Sequence, residues 1–364
     1  MSGTSTCLPF LLAGGQGTRL HDLTREVCKP AVPFLRAGRI VDFVMAAAAR
    51  AGFERIMVAT QYRPAPLVEH LQSTWSLHFP AGLTIRDGAQ VQPPSGYRGT
   101  ADAVRANIAA IDAICPDEVM ILSGDHVFDM DLSLMLKHHR AQAGAMTVAV
   151  TRVPLSTAGE FGIFTTDEAG RAKGFTEKPL DPVADPAAPG QALASMGIYI
   201  LNWPWLRNVL QATAKLSVDD FGHDVLPLAL PEGEVSLYRL PNGLDGRPGF
   251  WRDVGTLDSY RLTQLDFAQM VPPCRLPRRA LGAETGRMVG EGSIAMAGAV
   301  VPPGARLKNA IVAEQTVIPP GLTVGDDPAA DSRWFLRTPG GTVLITPEMI
   351  ARWQDANRLF RAVA

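Results

Sequence analysis

From residue 8 to about residue 270 the chain alternates short, continuous apolar runs with segments whose apolar positions recur at helical spacing. The runs at 8–13, 55–60, 118–123 and 146–150 predict strands, and the amphipathic segments at 40–51, 66–75 and 100–114 predict helices. Alternation of this kind predicts an α/β fold built on a mainly parallel, Rossmann-like sheet covered on both faces. Ligands of such sheets bind beyond the carboxyl ends of the strands. The stretch 180–191, rich in Pro, Asp and Ala, breaks the rhythm as a surface loop, and the proline-rich segment 271–279 reads as a linker. Beyond it Ile294, Val300, Val312, Ile318 and Val324 fall on a six-residue ladder, with Leu307 beside the missing rung, Arg306. That period belongs to a left-handed parallel β-helix, in which each face of a triangular coil buries one residue per repeat. Only about two coils fit, and a Pro/Gly-rich coil packed on the main domain is the alternative. The tail reads as a strand at 342–346 and a helix from Pro347.

Composition narrows the function classes. A chain of 364 residues predicts two domains, and 46% hydrophobic residues supply ample core. A formal charge of -2 argues against nucleic-acid binding, which needs a basic excess. It leaves room for small phosphorylated ligands. Cys7, Cys28, Cys115 and Cys274 lie far apart, predicting neither a zinc site nor a disulfide framework. The first apolar run has no basic segment before it and glycines after it, so it reads as a buried strand instead of a signal peptide. No run reaches the length of a membrane span. A soluble, cytoplasmic protein is expected.

The residues that carry chemistry cluster just after predicted strands. Gly14-Gly15-Gln16-Gly17-Thr18-Arg19 follows the first run, and Lys29 comes shortly after. A glycine turn lets backbone N–H groups approach a phosphate, and Arg19 and Lys29 add fixed positive charge. The turn is neither a Walker A loop, which needs Gly-Lys-Ser/Thr, nor the dinucleotide fingerprint, which needs Gly where Leu20 stands. Asp125, in Ser123-Gly124-Asp125-His126, and Asp253, in Trp251-Arg252-Asp253, are carboxylates sited to hold Mg²⁺ against a triphosphate. Taken alone, each is more often a turn residue or helix cap than a ligand. Glu177-Lys178-Pro179 pairs an acceptor for sugar hydroxyls with a cation for a sugar phosphate, although from this triplet alone an exposed ion pair is the preferred reading. In the stretch Tyr97 to Ala103 a loop enters a helix, with Thr100 as its cap and N–H groups open to a ligand.

The order of these clusters is more specific than any one of them. The chain resembles the glucose-1-phosphate adenylyltransferases (ADP-glucose pyrophosphorylases) of bacterial glycogen synthesis. The resemblance is carried by LAGGQGTRL, KPAVPF, RIVDF, TQY, YRGTADA, SGDH, FGIF, FTEKP, ASMGIY, DFGHDVLP and FWRDVGT, with GDDPAADSRWF and VLITPEM extending it into the tail. It implies adenylyl transfer from ATP to α-D-glucose 1-phosphate, giving ADP-glucose and pyrophosphate, with Mg²⁺ as cofactor. The expected organisation is a nucleotidyltransferase domain over 1–270, a linker over 271–285, and a short left-handed β-helix with its tail over 286–364. Tyr97, Gly162, Glu177, Lys178 and Ser195 match positions that contact glucose 1-phosphate. Leu12, Ala13, Gly14, Gly15, Gly17, Thr18, Arg19, Gly99 and Thr100 match the nucleotide site. Arg19 and Lys29 match the triphosphate-facing cations, and Asp125 and Asp253 the metal-associated carboxylates. The family also implies a homo-oligomer, a dimer or tetramer, with no nucleic-acid or membrane partner.

Departures from the family pattern concern regulation. Glu26 and Val27 stand where basic residues are typical of the family's effector site, Pro33 where a His is common, and Glu314 where an Arg is usual, while Arg39 is kept. Classical effector control is therefore in doubt, with Arg25, Arg36 and Arg39 as the cations that remain nearby. Three rival readings are weaker. A non-catalytic regulatory subunit would be expected to have lost some of Asp125, Asp253, Arg19 and Lys178. An NAD-dependent dehydrogenase needs an acidic residue after the second strand, where Thr60-Gln61-Tyr62 offers none. An acyltransferase needs more β-helix coils than fit here. A nucleotidyltransferase with another sugar or base stays open.

Overall fold

A computed structural model describes residues 6–35, 38–214, 216, 218–242, 246, 249–269, 271–277 and 287–363. Arg36 and part of the expected linker lie outside the described residues. The chain forms two compact units, each assembled from separate stretches. One comprises residues 1–15, 44–124 and 129–251, the other 16–43, 125–128 and 252–364.

The first unit is organised around a nine-stranded sheet. Its strands are β1 (Cys7–Leu12), β2 (Arg55–Thr60), β3 (Gly82–Asp87), β4 (Glu118–Ser123), β5 (Met146–Pro154), β6 (Gly162–Thr166), β7 (Ala172–Glu177), β8 (Gln191–Asn202) and β9 (Val235–Arg239). The order is β7–β6–β8–β4–β1–β2–β3, with β5 paired to β8 and β9 to β5. The neighbours β4, β1, β2 and β3 are all parallel. Phe10, Leu11, Ile56, Val58, Val119 and Ile121 are fully buried, the near-continuous apolar reading expected of strands covered on both faces. The sheet then changes character: β8 runs antiparallel to β4, β5 and β6, and β7 antiparallel to β6.

Two helices form close to expectation, Asp42–Arg50 and Ala65–Trp75. The helix expected over 100–114 is instead two, Thr100–Arg105 and Ile108–Asp112. The buried Asn107 side chain donates to Ala103 O at 2.8 Å, taking the acceptor that its own N–H would use, and that N–H turns to Val104 O. A side chain competing for a helical carbonyl ends the helix there.

In the second unit the C-terminal segment coils as a β-helix. On one face β10 (Ser293–Ala295), β12 (Ala310–Val312) and β14 (Val343–Ile345) stack in parallel; β11 (Arg306–Leu307) and β13 (Thr323–Val324) form a second, and a Val300–Val317 bridge marks the third. Ile294 stacks on Ile311, not Val312, so the coil is one residue shorter than three six-residue repeats. That slip corrects two rungs of the ladder, Ile294 and Val300. Val300 faces outward, 51% exposed, while its neighbour Val301 packs inward. Leu307, Val312, Ile318 and Val324 fill the core as expected. Between β13 and β14 the coil carries a short helix, Pro328–Trp334. The terminal helix Pro347–Val363 lays Met349 and Ile350 on the core, the kind of cap that lets so short a solenoid close.

Candidate active site

A charged cluster of candidate residues lies in the second unit. The strand His126–Phe128 pairs with Trp251–Asp253, which sets Asp125 and Asp253 side by side. Lys29, only 4% exposed, reaches both: its Nζ lies 2.9 Å from Asp125 Oδ2 and 2.6 Å from Asp253 Oδ1. Burial pulls this ammonium down, but attraction to the two carboxylates outweighs it and holds the group above the ordinary lysine range. Arg19, mostly exposed, sits 3.6 Å from Asp253 Oδ2. Two glycines make these approaches feasible. A Cβ on Gly17, whose φ is 71°, would lie 2.7 Å from Lys29 Cβ. A Cβ on Gly255 would lie 2.7 Å from Arg19 and 2.9 Å from Asp253.

Sequence reasoning did not single out His126. Its Nε2 lies 3.7 Å from Asp125 Oδ1 and 4.0 Å from Asp253 Oδ1. One ligand atom from each of Asp125, His126 and Asp253 falls within 4.8 Å of the others. Two carboxylates suit a hard divalent cation that keeps water in its remaining positions, and one imidazole is compatible with it. The donor set therefore fits the metal that the resemblance implies.

The first unit holds Gly162, Glu177, Lys178, Ser195 and Tyr97, the positions that the resemblance matches to glucose 1-phosphate contacts. Gly162 on β6 opposes Glu177 on β7. A Cβ on Gly162 would come within 2.2 Å of Phe175 Cζ and 2.6 Å of Glu177 Oε2, so only glycine fits. Lys178 has φ 46°, donates its N–H to Phe161 O, and keeps its Nζ 3.7 Å from Glu177 Oε1 with the side chain 64% exposed. Ser195 stands where the β8–β5 register shifts before Tyr199, and Gly197 N donates to its Oγ at 3.3 Å. Such a bulge re-aims a side chain out of the ladder. Tyr97 is a buried strut: its hydroxyl donates to Arg86 O and accepts from Asn107 Nδ2 at 3.0 Å.

Around the glycine turn, Leu12 O accepts from Gly124 N, Ala13 is buried, and a Cβ on Gly14 would lie 3.1 Å from Gln61 Cβ. Gly15 has open space beside it. Thr18 opens a short helical segment, Thr18–Thr24, in the second unit. Gln61, unassigned from sequence, clamps Tyr97 through both backbone groups, accepting from its N at 2.5 Å and donating to its O at 3.1 Å.

The helix start at Thr100 corrects an expectation. Ala101 N and Asp102 N both donate to Asp219 O, so these groups are engaged within the fold. Thr100 does not cap: Gly99 holds that position, and a Cβ there would strike Asp219 O at 2.3 Å. The Thr100 hydroxyl instead donates to Asp220 Oδ2 and accepts from Phe221 N, each at 2.9 Å. Asp220 in turn caps Gly222 and His223, and a Cβ on Gly222 would lie 3.1 Å from Glu177 Oε2. The only sequence signal for Asp220 and Gln61 was their place in the matched landmarks.

A family model described as nucleotidyl transferase matches residues 8–269, and one described as GlmU-like, C-terminal hexapeptide matches 285–345. The glucose-1-phosphate adenylyltransferase of Jannaschia sp. is 34% identical over 97% of this chain and 98% of its own length. The enzyme of the same name from Granulibacter bethesdensis is 36% identical over 97% of this chain and 100% of its own length. That from Nitrosospira multiformis is 35% identical over 96% of each. The chain belongs to the glucose-1-phosphate adenylyltransferase family. The Jannaschia alignment spans 411 positions, more than the 364 residues of this chain, so that adenylyltransferase carries segments with no counterpart here.

In the segment where the family pattern is basic, Arg25 is occupied by carboxylate partners and the Arg39 guanidinium donates to Ala31 O. Arg25 lies 2.7 Å from Glu348, 3.4 Å from Asp22 and 4.0 Å from Glu26. Burial raises the pKa of Glu314, with Arg39 pulling it back. Among the described residues no helix is long and apolar enough to cross a membrane.

Proposed function

We propose that this chain is a glucose-1-phosphate adenylyltransferase, moving the adenylyl group of ATP to α-D-glucose 1-phosphate and releasing pyrophosphate for α-glucan synthesis. The observation that carries this reading is identity of 33–36% to relatives of that name across 95–97% of the chain. The sugar-phosphate oxygen is already anionic at neutral pH, so the displacement at the α-phosphorus needs alignment and charge neutralisation more than a general base. Glu177 accepts from sugar hydroxyls, while Lys178 and Ser195 hold the sugar phosphate. The turn from Leu12 to Thr18, with Gly99 and Thr100, seats the nucleotide. Arg19 and Lys29 stabilise the departing pyrophosphate. Asp125 and Asp253, with His126, would hold a divalent cation, Mg²⁺ in our reading. When bound, it neutralises charge on the α- and β-phosphates. The reading carries with it a soluble, cytoplasmic homo-oligomer.

The test is pyrophosphate release from a panel of nucleoside triphosphates and sugar 1-phosphates. ATP with glucose 1-phosphate should be the best pair; a better pair with another base or sugar would replace this assignment. Within that assay Lys178→Ala should raise the KM for glucose 1-phosphate by about tenfold or more, because it deletes a charge-assisted contact. The KM for ATP should move far less. A larger rise for ATP would reverse the two assignments.

Regulation should differ from the family's. Effector anions need several converging cations, and here Glu26 and Glu314 place carboxylates among them. Initial rates with millimolar fructose 1,6-bisphosphate or AMP should change by less than about twofold, since each lost charge-assisted contact removes much of an anion's affinity. Activation of about tenfold would mean that Arg25 and Arg39 rebuild the site.

A further inference from the structure

The helix Leu257–Phe267 opens directly beyond Asp253-Val254-Gly255, on a capping box between Thr256 and Ser259. One side of it holds the segment that follows Lys29. Tyr260 Oη donates to Pro33 O at 2.5 Å, Leu35 N donates to Gln264 Oε1 at 3.1 Å, and Phe34 packs edge-on against Tyr260 and Phe267. Its other side is bonded to the β-helix. Asp258 Oδ1 accepts from Thr338 Oγ1 at 2.9 Å and Thr342 Oγ1 at 2.5 Å. The same Thr342 hydroxyl accepts from Arg261 Nε at 2.9 Å, and Arg261 Nη1 donates to Gly292 O at 2.7 Å. Thr342 is fully buried and Arg261 is 6% exposed. A Cβ on Gly340 would sit 2.7 Å from the Asp258 carboxylate, a closeness that only glycine permits.

We infer that Asp258, Arg261 and Thr342 are positioning residues for the reaction: they fix the helix on the β-helix coil and thereby hold Asp253 in register with Lys29. None of the three touches Lys29, Asp125 or Asp253 in the bonds above, so their effect passes through the helix. The Thr342 hydroxyl is the junction, since it serves Asp258 and Arg261 together. A buried polar network holds one geometry when every member is satisfied and loosens when one is removed. The catalytic reading of the inference rests on the adenylyltransferase assignment, but the geometry it describes is open to a separate measurement.

The experiment compares Thr342→Val, Thr342→Ser and Asp258→Asn with the unaltered full-length protein, well below their melting temperatures. It uses two readouts, steady-state kinetics on the best substrate pair and Mn²⁺ affinity by electron paramagnetic resonance. Thr342→Val keeps shape and loses the hydroxyl. It should lower kcat by about tenfold or more, because small misplacements of reacting groups have large effects on rate. Its KM for glucose 1-phosphate should stay within about twofold, as a uniform-binding contact is untouched. Its Mn²⁺ affinity should fall in parallel with kcat. Thr342→Ser keeps the hydroxyl and should behave as the parent. Asp258→Asn removes the carboxylate that attracts the buried Arg261 and should lower kcat and Mn²⁺ affinity together, with the KM for glucose 1-phosphate held within about twofold. A folded Thr342→Val with unchanged kcat and Mn²⁺ affinity overturns the inference. So does Thr342→Ser falling as far as Thr342→Val, and if the valine variant does not fold, a folded Asp258→Asn variant with unchanged kcat and Mn²⁺ affinity overturns it. Failure of every substrate pair would count against the adenylyltransferase reading alone, leaving Mn²⁺ affinity to test the positioning.

Discussion

Lys29→Met should reduce turnover by a factor on the order of 10³, at the upper end of what one charge-stabilising group supplies. The substitution keeps the packed stem, whose Cβ, Cγ and Cδ lie against Gly17, and removes only the ammonium. Two losses then combine. The departing pyrophosphate loses a cation, and Asp125 and Asp253, each bonded to Nζ, face one another without the charge between them. Breaking one partner from a buried ionic cluster is far more damaging than replacing the cluster whole. The melting temperature should therefore fall as well, and its pH dependence identifies the cause. The folded lysine titrates above its ordinary value of 10.5. A raised pKa contributes stability that is fully present below the unfolded value and is lost as pH rises through the folded one. The gap in melting temperature between parent and variant should thus hold constant near neutrality and shrink only at strongly alkaline pH. A folded Lys29→Met enzyme with more than about a tenth of parental pyrophosphate release would remove this residue from the chemistry, since a tenfold change is less than one such group usually supplies.

What was legible in the sequence follows from where each element lies. β1, β2 and β4 are buried on both faces, so their apolar runs stood out; β3, at one end of the sheet, buries no residue and left no run. β6 is buried only in its first half and β7 not fully at any residue, and β8, though largely buried, changes register within itself. A hexad ladder could mark the β-helix but not a coil one residue short, which turned Val300 outward. In the site, Lys29, Asp125 and Asp253 each carried a motif. Their mutual contacts span 96 and 224 residues of chain, a separation that no local pattern encodes. The motifs therefore assigned Lys29 to phosphate and the carboxylates to metal, without showing that one ammonium bridges both. Gln61 and Asp220 act on backbone groups far away in sequence, and their own neighbours gave no hint of it.

Gly162→Ala should damage substrate recognition more than any side-chain deletion at the same place, since it adds an atom where none fits. The new Cβ would meet Phe175 Cζ at 2.2 Å and Glu177 Oε2 at 2.6 Å, below any contact a real Cβ makes. Phe175 has little freedom to retreat, because its ring packs on Phe164 at 4.9 Å between centroids. Glu177 has little room to turn towards Gly222, where even a Cβ would lie 3.1 Å from the same oxygen. Relief must come from spreading β6 from β7, and overpacking of this kind typically costs about 1–3 kcal/mol. The carboxylate cannot then keep the position from which we propose it accepts sugar hydroxyls. The expected result is a KM for glucose 1-phosphate raised by about thirtyfold or more, as 2 kcal/mol in binding corresponds to roughly that factor. The KM for ATP should shift by no more than about threefold, because the lesion is confined to the sugar-directed strands. Glu177→Gln serves as the reference: it keeps the volume and should raise the same KM by less than Gly162→Ala does. A Gly162→Ala enzyme with normal affinity for glucose 1-phosphate would show that the β6–β7 pair can part without disturbing the sugar, and Glu177 would then lose its assigned role.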